Sequence, residues 1–278
     1  ELAAIDSELT RVARLKVLAR ELADVGPLPV GPLLPTPAVA EKRDWFVNGE
    51  GQTYAVVRGP VEFTLGSPKT EPGRNEVNEP PHRKRIGRTF AISTKEVTVA
   101  EFLRFRPKHD WTNRYSPGPD TPAVSVTWYD AAAYCNWLSE REGIPEDQWC
   151  YEPAKGGEFG EGMRMKVGHL KLTGYRLPTE SEWEFAARGG EAFIYAGSDT
   201  AGKVAWIGEN SGSTTHAVCG KLHNGYGLCD MSGNVYEWTH DWYGAYPRSG
   251  AIDPTGASSG AYRVLRGGSW NYSAGLAR

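Results

Sequence analysis

NGYGLCDMSGNVYEWTHDW, residues 224–242, is the stretch of this sequence that says most about its fold. Residues 232–235 read Ser-Gly-Asn-Val and predict a turn in which main-chain carbonyls can point inward. Glu237 adds a carboxylate two residues after that turn. Carbonyl oxygens together with one carboxylate form the hard, adaptable ligand set that calcium accepts. A Gly-Asn turn that simply leads into a strand has the same spacing, so both interpretations stay open at this point.

A second informative stretch, RVLRGGSW, covers residues 263–270. Val264 and Leu265 favour a strand, and the Gly-Gly pair that follows permits a positive φ or close approach of another backbone. Ser269 has no His and acid partners at recognisable positions, so a hydrolytic triad cannot be derived. The six histidines are scattered, and their spacing gives no support to a three-histidine metal site.

The composition is that of a loop-rich globular protein. Hydrophobic residues make up 40% of the 278 residues, which is enough for a packed core and excludes wholesale disorder. The formal net charge of −3 provides no global basic field, so nucleic acid is not expected as a partner. The 33 glycines and 19 prolines predict many turns. The ten tryptophans predict a core of aromatic side chains wedged between loops.

Several segments carry no recognisable site. No apolar run approaches the roughly 18 residues of a membrane-spanning helix, and no signal peptide begins the chain, so we expect no membrane insertion and favour a cytoplasmic location. The basic run His82–Arg85 predicts a solvated strand edge. The Gly-rich insertion between residues 149 and 175 lacks the G-K-[ST] of a phosphate-binding loop and predicts a flexible surface loop. Cys135 lies in an apolar helical pattern and is expected to be a buried thiol.

The chain divides into three parts. Apolar residues at three-and-four spacing predict a helix over residues 1–25, either the tail of a preceding domain or one strand of a coiled coil. Five prolines then predict an extended linker over residues 26–43. The main domain is expected over residues 44–278 in the α+β class, with short strands at 54–57, 62–65 and 90–92. Three helix starts carry a capping box, in which a threonine and an acid three residues later satisfy each other's free amides. The pairs are Thr98 with Glu101, Thr127 with Asp130, and Thr179 with Glu182.

Five blocks together resemble one known family. They are TKEVTVAEF at 94–102, PAVSVTWYDAAAYCNWLS at 122–139, GYRLPTESEWEFAARGG at 174–190, NGYGLCDMSGNVYEWTHDWYG at 224–244 and RVLRGGSW at 263–270. Their content and order resemble the formylglycine-generating enzyme, or sulfatase-modifying factor, family. The resemblance implies a variant of the C-type lectin fold with little regular secondary structure and with bound structural calcium. It also implies a closing strand after residue 278, so the domain is expected to be incomplete at its C-terminus.

The resemblance carries site assignments as well. It implies calcium ligation by the carbonyls of Ser232, Gly233 and Val235 and by the carboxylate of Glu237. It places Trp238 and Ser269 in the substrate groove. Family enzymes hold copper(I) with two cysteines shortly after the GGS motif and use oxygen to convert a substrate cysteine to formylglycine. Those two positions are Tyr272 and Ala277 here, so neither copper nor a catalytic residue is expected.

Two candidate functions remain for this chain. The first is a non-catalytic module that binds a protein, peptide or small-molecule ligand through Asn271, Tyr272 and Ser273, residue types that bind adaptably. Variable proteins of diversity-generating retroelements resemble this chain at the same place, and the region before the domain is similar to large bacterial multidomain proteins with an upstream kinase or helical domain. The alternative is an oxidoreductase of the same family that acts on a protein or a small thiol.

Overall fold

The computed structural model describes residues 45–71, 73–76, 79–111, 114–246 and 252–278. The helix expected over residues 1–25 and the linker over 26–43 lie outside the described residues. Regular secondary structure is short throughout the described part, which confirms a mixed α and β fold with few helices.

The strands and helices are short and alternate with long irregular segments. The nine strands are β1 (Trp45–Val47), β2 (Thr53–Val57), β3 (Val61–Leu65), β4 (His82–Ile86), β5 (Phe90–Ser93), β6 (Tyr151–Glu152), β7 (Arg164–Met165), β8 (Glu237–Trp242) and β9 (Arg263–Arg266). The α-helices are α1 (Val99–Phe105), α2 (Trp128–Arg141), α3 (Glu180–Arg188) and α4 (Ala201–Val204), and 3-10 turns cover Glu146–Gln148, His169–Lys171 and Ala274–Leu276. These are the elements of the described residues only.

The strands form four small antiparallel sheets. One has three strands in the order β1-β2-β5, and the others are the pairs β3-β4, β6-β7 and β8-β9. In the last pair Glu237 lies opposite Arg266, and a register irregularity follows Trp238. Within the described residues β9 pairs with β8 alone. The expected closing strand beyond residue 278 stays a prediction.

All three predicted capping boxes are present. Thr98, Thr127 and Thr179 each accept a hydrogen bond from the backbone N–H three residues later, and the acid at that position accepts from the backbone N–H of the threonine. α3 ends at Gly189, whose φ of 59° is left-handed as its C-cap role requires. Local sequence therefore fixes where these helices begin.

The main hydrophobic cluster surrounds Trp183 of α3, which is 1% exposed. Residues of β2, β4 and β5 pack on it together with Leu228 and Met231. Gly267 passes so close to this ring that an added Cβ would lie 3.4 Å from it. The ring is thus packed between short strands and loops, as the tryptophan content predicts. A second cluster joins Trp128, Cys135 and Tyr151 across α2 and β6.

Two expectations for surface segments need correction. The basic run forms β4, but Lys84 is buried at 5% exposure because alternate side chains of a strand point to opposite faces, while Arg83 and Arg85 remain outside. The Lys84 ammonium lies 5.4 Å from the centroid of the Tyr246 ring. The insertion between residues 149 and 175 contains the β6-β7 hairpin and a 3-10 turn rather than only irregular loop. Among the described residues, no helix has the length and apolarity needed to cross a membrane.

Candidate functional site

The turn at residues 232–235 is held by main-chain hydrogen bonds to distant segments. The Gly233 N–H donates to the Gly267 carbonyl at 2.7 Å, and the Asn234 N–H donates to the Trp206 carbonyl at 2.8 Å. The Asn234 carbonyl accepts from the Trp270 N–H at 2.8 Å. Gly233 has φ +79°, and a Cβ there would lie 2.3 Å from the Trp206 carbonyl oxygen, so only glycine fits. The turn is therefore tied directly to the chain around the GGSW motif.

A buried glutamate orients the turn from its other side. Glu96 accepts from the Asn234 side-chain amide at 2.7 Å and from the Val235 N–H at 3.0 Å, so each carboxyl oxygen has a partner. The Asn234 side chain in turn accepts from the His216 N–H at 3.0 Å. Burial is the main cause that raises the pKa of Glu96 well above its usual range.

Two further acids lie at this turn. The Glu237 carboxylate accepts from the Trp183 indole N–H at 3.0 Å, and burial raises its pKa to about 7. Asp230 is 3% exposed, and one of its oxygens accepts from the Cys219 N–H at 2.6 Å. Its other oxygen, Oδ1, is buried without a hydrogen-bond partner in the described structure. Burial raises the pKa of Asp230 as well.

The donor set at this turn fits a hard cation. The Asn234 carbonyl accepts a hydrogen bond from the Trp270 N–H. Among turn residues 232–235, Asn234 is the one to which the resemblance assigns no calcium ligand. The residues assigned to calcium are Ser232, Gly233 and Val235 in the turn and Glu237 at the start of β8. No group of three or more His, Cys, Asp or Glu side chains within the described ranges is placed to hold a metal ion. Any cation at this turn would therefore be bound largely by carbonyl oxygens.

The segment 269–273 forms a second feature next to the turn. Besides the Trp270 N–H bond to Asn234, the Trp270 carbonyl accepts from the Ser211 hydroxyl at 2.8 Å. The Tyr272 N–H donates to the Ser269 carbonyl at 3.0 Å, and the Tyr272 carbonyl accepts from the Gly208 N–H at 2.8 Å. The main chain of the segment is thus fixed from both sides.

The side chains at the end of this segment, residues 271–273, are exposed. Tyr272 is 44% exposed, and Asn271 and Ser273 are also exposed. The Tyr272 ring meets the Tyr236 ring edge-on at 5.5 Å between centroids. The Ser269 hydroxyl donates to the Asn271 side-chain oxygen at 2.7 Å. Three exposed polar or aromatic side chains therefore stand on a rigid main chain.

Trp238 occupies a different environment. It is half-buried on β8, its indole N–H donates to the Val126 carbonyl at 2.9 Å, and it packs against the cluster around Trp128 and Tyr151. Ser269, Asn271 and Tyr272 are brought together on one segment, whereas the contacts of Trp238 are with α2 and β6.

The cysteines are split between a disulfide and two buried thiols. Cys219 and Cys229 form a disulfide that the sequence reasoning missed, because their spacing of ten matches no recognised motif. Cys135 is a buried free thiol as expected, and Cys150 is a second one. Burial raises the pKa of the Cys150 thiol to about 11 and that of Cys135 further. Neither thiol is a reactive thiolate at neutral pH.

A large cleft runs beside β9 and α3, with a volume of about 950 Å³. Leu276 and Tyr236 line the part near the exposed segment, and Lys84 and Asp241 line another part. Ion pairs account for many of its charges: Arg188 and Arg266 pair with Glu184, and Arg278 pairs with Glu71 and Glu79. The cleft is therefore lined by charged side chains of both signs.

Sequence comparison decides the family. Residues 46–278 match the model of the sulfatase-modifying factor enzyme 1-like domain. The chain belongs to the sulfatase-modifying factor family. The formylglycine-generating enzyme of Streptomyces coelicolor is 34% identical over 55% of this chain and 43% of its own length. The serine/threonine-protein kinase pkn1 of Chlamydia pneumoniae is 37% identical over 75% of this chain, but the match spans only 32% of the kinase. This sulfatase-modifying factor domain thus corresponds to less than half of either protein.

Solved structures support the same family assignment. Treponema denticola variable protein 1 superposes with a TM-score of 0.71 at 31% sequence identity, covering 85% of this chain and 90% of that one. Of the two residues that the resemblance places at the family's cysteine positions, Tyr272 is 44% exposed, whereas Ala277 is 1% exposed and packs against Ala205 and Ile207.

Proposed function

We propose that this domain is a non-catalytic recognition module that binds a protein, peptide or small-molecule ligand at residues 271–273. One observation carries the proposal: the main chain is anchored at Trp270 by hydrogen bonds with Asn234 and Ser211 and at Tyr272 by a hydrogen bond from Gly208, while the side chains of residues 271–273 stay exposed. A fixed main chain lowers the entropy lost when a ligand binds.

The exposed side chains suit recognition. Tyrosine supplies a large, rigid and amphipathic contact area, and asparagine and serine supply adaptable hydrogen bonds. Tyr236, edge-on to Tyr272, extends the aromatic surface toward the neighbouring cleft.

The side chains of Tyr272 and Ala277 argue against copper-dependent oxidation. Copper(I) prefers soft sulfur ligands, and a phenol and a methyl group occupy the two positions. The two free thiols of the chain are buried elsewhere, at Cys135 and Cys150. Formylglycine-generating enzymes are nevertheless among the relatives, so oxidase activity is the alternative that experiment must address.

Calcium is proposed as a structural ion at the turn 232–237. The half-buried Glu237 carboxylate, with one donor at 3.0 Å and a raised pKa, and the unpartnered oxygen of Asp230 are the features that a cation would satisfy. Bound calcium would supply positive charge that offsets the cost of these buried acids.

We also propose that the module works within a larger protein. The relatives include serine/threonine-protein kinases of which this domain matches 19% to 32% of the length. The disulfide Cys219–Cys229 is of a kind typical of oxidising compartments, so it gives no support to the cytoplasmic location favoured from the sequence. A cytoplasmic location stays a prediction.

The binding surface can be tested with a library of random peptides displayed on phage. Clones enriched on the wild-type domain are measured against Tyr272→Ala and Asn271→Ala, with Tyr262→Ala as the matched control, because Tyr262 is 74% exposed and lies outside the segment. We expect loss of binding in the first two variants and none in the control. Enriched clones that bind all variants equally, or a library that yields no clone, would contradict the proposed surface.

The enzymatic alternative has its own assay. Oxygen consumption is followed with a Cys-x-Pro-x-Arg peptide after the domain is supplied with copper(I). We expect neither turnover nor stoichiometric copper binding. Formation of an aldehyde in that peptide would show that the domain is an oxidase.

A further inference from the structure

We propose that the Cys219–Cys229 disulfide is a redox switch, whose reduction releases a strap, residues 217–222, from the ring of Trp206. The step is thiol–disulfide exchange with a dithiol reductant. One thiolate of the reductant attacks the sulfur of Cys219, and Cys229 leaves as a thiol. The second thiol then displaces Cys219, so the reductant becomes a cyclic disulfide and the protein gains two electrons and two protons. The switch goes beyond ligand recognition, and no ligand is needed to test it.

The two cysteines differ in their access to solvent and in how firmly they are held. Cys229 is 8% exposed, its N–H donates to the Thr94 carbonyl at 2.8 Å, and it follows Leu228, which is 1% exposed. Cys219 is exposed and has φ +60°, a left-handed conformation that a residue other than glycine adopts at a cost. A reductant can therefore reach the bridge from the Cys219 side. Once the bridge opens, Cys219 is free to relax while Cys229 stays in place.

The strap has little apolar contact with the rest of the domain. Four of its six residues are exposed, namely Ala217, Cys219, Gly220 and Leu222. Main-chain N–H groups at Val218, Cys219 and Leu222 donate to the Asp120 carbonyl at 3.1 Å, the Asp230 carboxylate at 2.6 Å and the Lys203 carbonyl at 3.2 Å. A solvent-exposed segment held mainly by hydrogen bonds belongs to the least stable parts of a fold. The covalent bridge is therefore the main restraint on the strap.

The strap covers the ring of Trp206. The Lys221 ammonium lies 3.9 Å from the centroid of that ring, and an added Cβ at Gly220 would lie 3.4 Å from its indole nitrogen. His216, the residue before the strap, stacks on the ring at 3.7 Å between centroids. Two hydrogen bonds with the Asn234 side chain, of 3.0 and 3.2 Å, hold His216 independently of the bridge. Release of the strap therefore uncovers one part of the ring and leaves the histidine stacked on it.

A buried polar group favours the released arrangement. The indole nitrogen of Trp206 is buried, and it has no hydrogen-bond partner within the part of the chain that the structure describes. A buried donor without a partner costs free energy, which water can restore once the strap moves away. The oxidised bridge opposes this change, and the reduced protein does not. The strap thus has two arrangements whose balance depends on the bridge.

The chain around Trp206 passes the change on to neighbouring segments. The Trp206 carbonyl accepts from the Asn234 N–H at 2.8 Å. Two residues later, the Gly208 N–H donates to the Tyr272 carbonyl at 2.8 Å. When the ring loses its cover, the main chain at residues 206–208 loses packing contacts, and these hydrogen bonds should open more often. Reduction should therefore loosen the main-chain anchor of Tyr272 as well.

Hydrogen exchange of the backbone amides, followed by NMR before and after reduction with dithiothreitol, tests the switch. We expect the amides of Val218, Leu222 and Gly208 to exchange about 10-fold or more faster after reduction. The indole N–H resonance of Trp206 should shift, while the amides of α2 keep their exchange rates. Alkylation followed by mass spectrometry should place the fastest-reacting new thiol at Cys219.

Two variants separate the bridge from other effects of the reductant. Cys219→Ser removes the bridge, so it should exchange like the reduced wild type and should not respond to dithiothreitol. Ala217→Ser places the same side chain at another exposed position of the strap and keeps the bridge, so it should behave like the wild type in both states.

Three outcomes would overturn the proposal. One is a bridge that dithiothreitol cannot reduce while the domain stays folded. Another is reduction that leaves the exchange rates of the strap unchanged. The third is faster exchange throughout α2 as well, since that would show loss of the whole fold rather than release of the strap. If Cys219→Ser does not fold, the reduced wild type decides by the same three criteria.

Discussion

Glu182 should contribute more stability than any surface acid of this domain. Its side chain is 1% exposed and accepts from Arg176 by two bonds of 2.7 Å and from Arg88 at 2.5 Å. It also accepts from the Thr179 N–H at 2.8 Å as half of the capping box of α3. Burial alone would raise its pKa, but the two guanidinium groups and the N–H outweigh burial and lower the pKa from 4.5 to about 2.

The replacement Glu182→Gln keeps the size of the side chain and removes its charge. The lowering of its pKa from 4.5 to about 2 corresponds to roughly 3 kcal/mol of folding free energy at neutral pH. Loss of one partner from a buried ion pair costs a similar amount, about 3–5 kcal/mol. For a domain of this size the melting temperature should fall by roughly 6–12 °C. Glu140→Gln, at an exposed position of α2, is the matched control and should change stability by less than about 0.5 kcal/mol.

Urea unfolding across a pH series gives the decisive comparison. Because the folded pKa lies below the unfolded one, the stabilisation is present above pH 4.5 and is lost as the pH falls toward 2. The difference in unfolding free energy between wild type and Glu182→Gln should therefore be constant from pH 7 to 5 and should shrink by roughly 2 kcal/mol at pH 3. A difference below about 1 kcal/mol at pH 7, or one that does not change with pH, would refute the electrostatic account.

Three further outcomes follow from the site and the core. Removal of calcium by EDTA should lower the melting temperature of the wild type, by an amount equivalent to about 2.7 kcal/mol at a hundredfold excess of calcium over Kd, and Glu237→Ala should abolish the difference. Cys135 and Cys150 should resist alkylation in the folded domain, since both are buried thiols with raised pKa values, and should react fully in urea. Gly233→Ala should lower the melting temperature strongly or prevent folding, because its Cβ would lie 2.3 Å from the Trp206 carbonyl oxygen; an unchanged melting curve would show that the turn adapts.

Local signals predicted the helices of this fold well. A capping box needs only two residues three positions apart, so Thr98, Thr127 and Thr179 could be identified without knowledge of tertiary contacts. The strands near residues 54–57, 62–65 and 90–92 were also located from their composition. The arrangement of four separate small sheets could not be derived in this way, and the family resemblance implied only the fold class with little regular secondary structure.

Contacts between distant segments escaped prediction. Glu96 lies about 140 positions before the turn that it orients, and nothing in its local sequence distinguishes it from a surface acid. The burial of Lys84 depended on which face of β4 meets Tyr246, and a strand with four basic or polar residues gave no such signal. The disulfide joined two cysteines whose spacing permits a bridge but does not demand one.

The candidate site was predicted in part. The turn residues and Glu237 came from the motif, and the exposed segment after Trp270 came from the resemblance. The hydrogen bonds that join the turn to that segment, through Asn234 and Trp270, required the structure.

The acids of α3 bind arginines from widely separated parts of the chain. Glu182 forms ion pairs with Arg88 and Arg176, and Glu184 forms ion pairs with Arg188 and Arg266. One helix of nine residues therefore links segments that are almost 180 positions apart. No contiguous half of the domain contains all of these partners. Division of the polypeptide on either side of this helix should therefore yield pieces that do not fold alone, and proteolytic nicking there should unfold the whole domain in a single step.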